Sequence, residues 1–300
     1  MRLHAGFAVS AWLLLAPALA QEAVRLPCPA SDKPCLRQAL RGHAVGRVAT
    51  WELDRRRPLD SRVGPAPQPL IEYLTLDNVA QGFPQRPLAA TLEPAFAADV
   101  ASAIAELPPQ VWRLFRERLS GVYFVENLGG TGYTDAVVDD ADKPVAGYIV
   151  LDAAVLRPLT ANAWASWKEG TPFKPQEGLR LTARIEADAG DNRKNAIQYI
   201  LLHELGHVLS IGSGLHPPWT LEPRDVPPSA YPFMDLSWTI DRRGNRYVAL
   251  ADPAFPQRRS VAYYFGARLA AKDMVPTYIN LERTNFPSLY AATKPGDDFA

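Results

Sequence analysis

The stretch that most constrains this chain is residues 195–212, which read NAIQYILLHELGHVLSIG. At about 100° per residue, His203, Glu204 and His207 lie on one side of a helix. Gly206 costs such a helix about 1 kcal/mol relative to Ala, which indicates a close packing contact at that point. The opposite side is apolar and consists of Ile197, Leu201, Leu205 and Val208. The sequence therefore predicts a buried helix with a single polar stripe.

Two histidines one helical turn apart are typical of a metal site. Their imidazoles can direct nitrogens at a common point about 2.0–2.1 Å from each, which suits tetrahedral Zn²⁺. The metal would lower the pKa of a bound water toward about 7, and Glu204 can take its proton and return it to a leaving amine. The pattern H-E-x-x-H thus predicts metal-dependent hydrolysis. The alternative interpretation is a pair of core histidines for which Glu204 is merely a hydrogen-bond partner.

A catalytic zinc site of this kind needs a third protein ligand, and the residues just after the helix offer no clear one. The metzincin continuation x-x-G-x-x-H fails, because Ser210 and Ser213 stand where Gly and His are required. A shifted version stays open, with His216 as the third ligand and Met234 imitating the methionine turn. A thermolysin-like continuation is a poor candidate, since the Glu and Asp of residues 222–225 have the wrong spacing and sit among prolines.

The tail, residues 285–300, reads NFPSLYAATKPGDDFA. Together with H-E-L-G-H it resembles the gluzincin peptidases of the anthrax lethal factor type, in which a Ser-x-Tyr-(Ala/Gly) segment precedes an acidic helix ending in Phe-Ala-Glu. The resemblance covers residues 190–214 and 283–300, with a looser match over 121–151. It implies that Tyr290 assists the transition state and that Asp297 is the third zinc ligand, with Asp298, Phe299 and Ala300 continuing the motif.

This tail departs from the family at two points. The family's ligand is Glu, so the shorter Asp297 requires a closer approach of its helix, or Asp298 reaches the metal instead. The chain also ends at Ala300, where the family's next Glu would stand, and we expect the natural sequence to continue.

The first twenty residues have the features of a signal peptide. Arg2 precedes an apolar run through Leu15, and Ala18-Leu19-Ala20 fits the small-x-small cleavage rule. Cys28 and Cys35 are the only cysteines, and in an exported chain such a pair predicts a disulfide. No later segment reaches the length of a membrane span. We expect a periplasmic or secreted protein.

The order of predicted elements indicates an α+β chain with an N-terminal extension over residues 21–94. For residues 95–300 the resemblance implies a zincin-like metallopeptidase domain. In the extension, residues 55–69 are rich in Pro and Arg and are typical of a linker or of an extended segment that wraps around the domain. Two strands, near residues 122–125 and 145–151, flank a loop of Gly and Asp, and the second is expected to hold an extended peptide. A mostly helical C-terminal lobe follows, with breaks at Pro276 and Pro287.

Lys plus Arg and Asp plus Glu are each 32, which gives no global field for nucleic acid. The predicted function is a zinc-dependent endopeptidase acting on a protein or peptide, with Glu204 and Tyr290 catalytic and with His203, His207 and Asp297 on Zn²⁺. Two alternatives stay open: a metzincin-like peptidase that uses His216, and an inactive, zinc-stabilised binding protein of the envelope.

Overall fold

The computed structural model describes residues 24–219, 221–228 and 231–300. The predicted signal peptide, residues 1–20, lies outside the described residues. The helices are α1 Lys33–Gly42, α2 Val48–Arg56, α3 Gln68–Gln81, α4 Pro94–Ala105, α5 Pro109–Phe115, α6 Ala153–Leu156, α7 Ala161–Gly170, α8 Arg193–Ser210, α9 Met274–Glu282 and α10 Pro295–Phe299. The strands are β1 Val63–Pro65, β2 Leu88–Ala89, β3 Leu119–Glu126, β4 Gly132–Val138, β5 Pro144–Asp152, β6 Trp238–Asp241 and β7 Arg246–Ala249. This mixture of helices with a small sheet confirms the α+β class.

The main sheet has the strand order β1-β3-β5-β4, with β2 also paired to β3. β1 and β5 run parallel to β3, whereas β2 and β4 run antiparallel to their neighbours. Because β5 has a strand on each side, the prediction that residues 145–151 offer an edge to a peptide was wrong. The edge belongs to β4, which occupies the region that the sequence assigned to a loop.

The sheet separates two hydrophobic cores, because successive side chains of a strand point to opposite faces. On one face, Val122, Phe124, Ile149 and Leu151 pack with α4 and α8. On the other face, Tyr123, Val125, Tyr148 and Val150 pack with Trp51 of α2 and with α3. The predicted apolar side of α8 is confirmed, since Ile197, Leu201, Leu205 and Val208 are all buried in the first core. This packing fixes α8 beneath the sheet and leaves its polar stripe beside β4.

The linker expected over residues 55–69 was wrong. The segment ends α2, forms a short turn and β1, and then begins α3, whose first turn contains Pro69. Proline suits the first turn of a helix because that position needs no amide donor, so the proline signalled a helix start. The buried Arg62 fixes the segment to the sheet by donating to the carbonyl of Leu119 at 2.7 Å. The predicted disulfide between Cys28 and Cys35 is present.

The C-terminal lobe has its own hydrophobic cluster, which includes Trp238, Phe255, Phe286 and Leu289. The hairpin of β6 and β7 packs there. The prediction that this lobe is mostly helical was wrong, because the described residues after α8 form only two short α-helices, α9 and α10, beside this hairpin and several short turns. Pro276 does not break a helix as expected, because it lies in the first turn of α9, where it removes no helical hydrogen bond. Within the described residues, no helix combines the length and the apolar character needed to span a membrane.

Candidate metal centre

His203, His207 and Asp297 meet at one point, although ninety residues separate the histidines from the aspartate. One possible ligand atom from each lies within 4.8 Å of the others. His207 Nε2 is 3.6 Å from Asp297 Oδ1, and the two imidazole rings stand edge to face with centroids 4.8 Å apart. Ligands on a tetrahedral zinc with bonds of about 2.1 Å are about 3.4 Å apart, so this donor set fits Zn²⁺.

Burial keeps the imidazole rings of both histidines in the neutral form. It lowers the pKa of His203 and of His207 to about 3. Both rings are therefore neutral at pH 7, which is the form that coordinates a metal ion. Asp297 is also buried, and Thr293 Oγ1 donates a hydrogen bond of 3.0 Å to its Oδ2. That bond leaves Oδ1 free on the side that faces His207.

The close approach of α10 to α8 depends on Gly206. A Cβ atom at this position would lie 2.8 Å from the Cα of Ala300 and 3.0 Å from its carbonyl oxygen. The packing contact that the glycine indicated is therefore the contact with α10. Asp298 does not face the histidines, because its Oδ2 accepts a 2.9 Å hydrogen bond from the indole of Trp238.

The residues of the metzincin-like alternative lie apart from the three ligand atoms. His216 is not a member of the group, and its Nδ1 lies 2.8 Å from the carbonyl oxygen of Pro217. Met234 is buried in the hydrophobic cluster of the C-terminal lobe. His216 nevertheless lines the same cavity as His207 and Asp297, and its buried Nε2 has no hydrogen-bond partner among the described residues.

Glu204 is held beside the ligands by strand β4. Thr134 Oγ1 donates a 2.6 Å hydrogen bond to Glu204 Oε2, and a Cβ on Gly132 would lie only 2.2 Å from Oε1. Burial raises the pKa of Glu204 to about 7, although the bond from Thr134 opposes that rise. A carboxylate with such a pKa can both accept and return a proton near neutral pH.

Tyr290 lies against the first histidine. Its ring centroid is 5.7 Å from that of His203, and its hydroxyl is 3.3 Å from the hydroxyl of Tyr264. Burial raises its pKa well above the ordinary value, so the hydroxyl stays protonated and can donate. Sequence reasoning missed Tyr264, and it also missed Lys168, whose Nζ lies 3.8 Å from the centre of the Tyr290 ring. The only local signal is the place of Lys168 on the apolar face of α7.

Two cavities meet at these groups. One has a volume of about 530 Å³ and includes His207 in its lining, and the other has about 610 Å³ and includes His203. The residues that line both are Gly132, Glu204, Tyr264, Tyr290 and Asp297. A ligand can therefore extend to both sides of the candidate metal centre.

The free edge of β4 borders the first cavity. The amide N–H of Asp152 donates a hydrogen bond to the carbonyl oxygen of Thr131. Hydrogen-bonded and non-hydrogen-bonded pairs alternate along antiparallel strands, so the backbone N–H and C=O groups of Gly132 and Thr134 point away from β5. These groups are available to an added strand. The sequence analysis missed this edge.

Neither a model of a protein family, nor a curated protein, nor a solved structure matches this chain.

Proposed function

We propose that this chain is an exported, zinc-dependent endopeptidase with a zincin-like catalytic domain of the lethal factor type. The observation that carries the proposal is the meeting of His203, His207 and Asp297 beside Glu204, at the junction of two cavities. A purely structural metal site has no need of a buried base next to its ligands. The two cavities favour a substrate that continues on both sides of the cleaved bond.

The chain's own residues have distinct roles in this proposal. His203, His207 and Asp297 would hold Zn²⁺, which when bound supplies Lewis-acid chemistry and lowers the pKa of its water. Glu204 takes the proton from the attacking water and passes it to the leaving amine. Tyr290 donates to the carbonyl oxygen, which stabilises the negative charge that develops there more than it stabilises the ground state.

The edge of β4 is the proposed seat of the substrate backbone. Gly132 and Thr134 present outward backbone groups, and their side-chain positions meet Glu204. An extended peptide paired to this edge would therefore pass close to the base. Export accords with the candidate signal peptide and with the Cys28–Cys35 disulfide, which persists in oxidising compartments.

The decisive experiment compares the wild type with Glu204→Gln. Both proteins are loaded with zinc, their metal content is measured, and each is incubated with casein and a peptide library, with and without a chelator. We expect equal zinc in both, chelator-sensitive hydrolysis by the wild type, and none by the variant. The glutamine keeps the shape but cannot accept the proton.

Two results would count against the proposal. Full activity of Glu204→Gln would refute the role of the base. Stoichiometric zinc without any hydrolysis by the wild type would favour the alternative of an inactive, zinc-stabilised binding protein.

A further inference from the structure

Lys168 is a charged residue on an apolar helix face. In α7, the residues that face the protein interior are Ala161, Trp164, Ala165 and Lys168. The lysine is 8% exposed, and burying an ammonium group is costly unless something compensates its charge. A break in an otherwise consistent hydrophobic pattern is expected at functional sites.

The surroundings of this ammonium group are aromatic. Its Nζ lies 3.8 Å from the ring centre of Tyr290, 4.9 Å from that of Tyr263 and 5.5 Å from that of Tyr264. Such cation–π contacts hold the group in place and partly replace its hydration. They leave its three N–H donors without an acceptor, because a ring face is not a lone pair.

Among the described residues, Lys168 Nζ has neither a hydrogen-bond acceptor nor a carboxylate within 4.0 Å. The side-chain hydrogen bonds and ion pairs of the described chain include none from this atom. Lys168 Nζ is also not one of the described polar atoms that are both fully buried and without a hydrogen-bond partner. The ammonium group therefore keeps an accessible surface, and that surface faces the 610 Å³ cavity that Lys168 lines.

The neighbouring carboxylates already have other donors. Glu169 accepts a hydrogen bond from Tyr278 at 2.7 Å and one from the amide of Leu289 at 3.3 Å. Glu204 accepts from Thr134, and Asp297 accepts from Thr293 beside the metal ligands. These carboxylates act on Lys168 through space, but none of them bonds to its Nζ, so the N–H donors of Lys168 are left for a ligand in the cavity.

We propose that Lys168 binds a carboxylate of the substrate in the cavity on the His203 side, and so makes the enzyme selective for an acidic group next to the cleaved bond. This inference rests on the proposed function. The cavity volume lies within the usual range for ligand sites of about 300–1,000 Å³. Two sources of the carboxylate fit the same chemistry: an Asp or Glu side chain, or the free C-terminus of the substrate.

Matched peptides test this. An internally quenched series carries Glu, Gln or Lys at each position flanking the cleavage site, and a second pair differs only in a C-terminal acid or amide. We expect kcat/KM to be about 10- to 100-fold higher for Glu than for Gln at one position, or for the acid over the amide, as for a buried charge-assisted hydrogen bond. The first outcome identifies a side-chain carboxylate and the second a C-terminal one.

Variants assign that selectivity to the lysine. Lys168→Met keeps the apolar stem and should lower kcat/KM about 10- to 100-fold more for the acidic peptide than for its neutral partner, while Lys168→Arg should retain the preference. Equal losses for both peptides in Lys168→Met would mean that the lysine serves Tyr290 or the fold instead. That outcome, or a wild type that does not discriminate, overturns the proposal.

A binding measurement separates this proposal from the proposed function. Fluorescent Glu and Gln peptides are titrated with zinc-loaded Glu204→Gln, with and without the added Lys168→Met change, and followed by anisotropy. We expect the Glu peptide to bind about 10- to 100-fold tighter only where Lys168 is present. The C-terminal acid and amide peptides are titrated in the same way. Absence of hydrolysis in the wild type would refute the peptidase function, whereas equal binding within both pairs, Glu with Gln and acid with amide, would refute the carboxylate site.

Discussion

Gly132→Ala should separate metal binding from catalysis. An alanine Cβ at this position would lie 2.2 Å from Glu204 Oε1, 2.9 Å from its carboxyl carbon and 3.1 Å from Cγ. An ordinary contact needs about 3.4 Å or more, so the carboxylate must move by about 1 Å, and a misplacement of that size costs about 100-fold in rate. The backbone of Gly132 is not left-handed, so alanine itself is tolerated there.

The expected result is a zinc-loaded protein that folds but hydrolyses peptides about 100-fold more slowly. Replacing glycine by alanine lowers the conformational entropy of the unfolded chain, which stabilises the folded protein by up to about 1 kcal/mol. The displaced Glu204 loses its 2.6 Å bond from Thr134, and a hydrogen bond to a charged group contributes about 1.5–3 kcal/mol. The net loss of stability is therefore about 1–2 kcal/mol, which leaves the protein folded.

The assay is kcat/KM on one quenched peptide, with zinc content and melting temperature measured on the same samples. The matched control is Gly130→Ala, whose Cβ would meet nothing closer than the Tyr264 hydroxyl at 3.5 Å. We expect the control to keep wild-type activity within a few-fold. If Gly132→Ala keeps at least half of the wild-type activity with full zinc, then Glu204 is not the base in the position that the structure gives it.

Two further predictions concern the third ligand and the pH dependence. Asp297→Ala should lower zinc affinity at least about 100-fold in a chelator competition, whereas His216→Ala should leave it within a few-fold; the reverse order would favour the metzincin-like alternative. Burial lowers the pKa of Lys168 to about 8, against the raising effects of the Asp297, Glu204 and Glu169 charges. The charged lysine is the form present below that pKa, so the ratio of kcat/KM for Glu over Gln peptides should be constant at pH 6–7 and fall through pH 8–9. In Lys168→Arg the guanidinium group stays charged, so the ratio of kcat/KM for Glu over Gln peptides should stay constant up to pH 9.5. A wild-type ratio that does not change over the whole range would contradict the assignment.

Helix α8 could be predicted because its signals are local. The spacing of His203 and His207 and the apolar residues behind them follow one helical period, and α8 has the predicted sides. Strand β4 escaped prediction because it is a partly exposed edge that shows no alternation of apolar and polar residues. Its role also depends on Glu204, about 70 residues away.

Lys168 could not be found from the sequence for a related reason. Its place on the apolar face of α7 is a local signal, but that signal does not show what the lysine contacts, since its aromatic neighbours Tyr263, Tyr264 and Tyr290 stand about 95 to 120 positions later. Residues whose function is defined by such long-range packing leave no local pattern of that function. The motif therefore predicts the metal ligands better than it predicts the residues that select a substrate.

If Asp297 is the third metal ligand, as we propose, then Gly206 should help to place it, because the glycine permits a close approach of the residue that follows α10. Aspartate is one methylene shorter than the Glu of the resembled family, and the glycine lets α10 approach α8 to a distance that a Cβ would prevent. We expect the longer side chain of Asp297→Glu to place its carboxylate too close to the metal position. The Cβ of Gly206→Ala should move α10, and with it Asp297, away from the histidines, so that each variant weakens zinc binding. In the double variant the displaced helix should suit the longer side chain, and the affinity should recover by a coupling of about 0.5–3 kcal/mol, the range for residues coupled through a backbone shift. Zinc dissociation constants for all four proteins give that coupling directly. If the two losses simply add, the close packing at Gly206 has no part in placing the ligand.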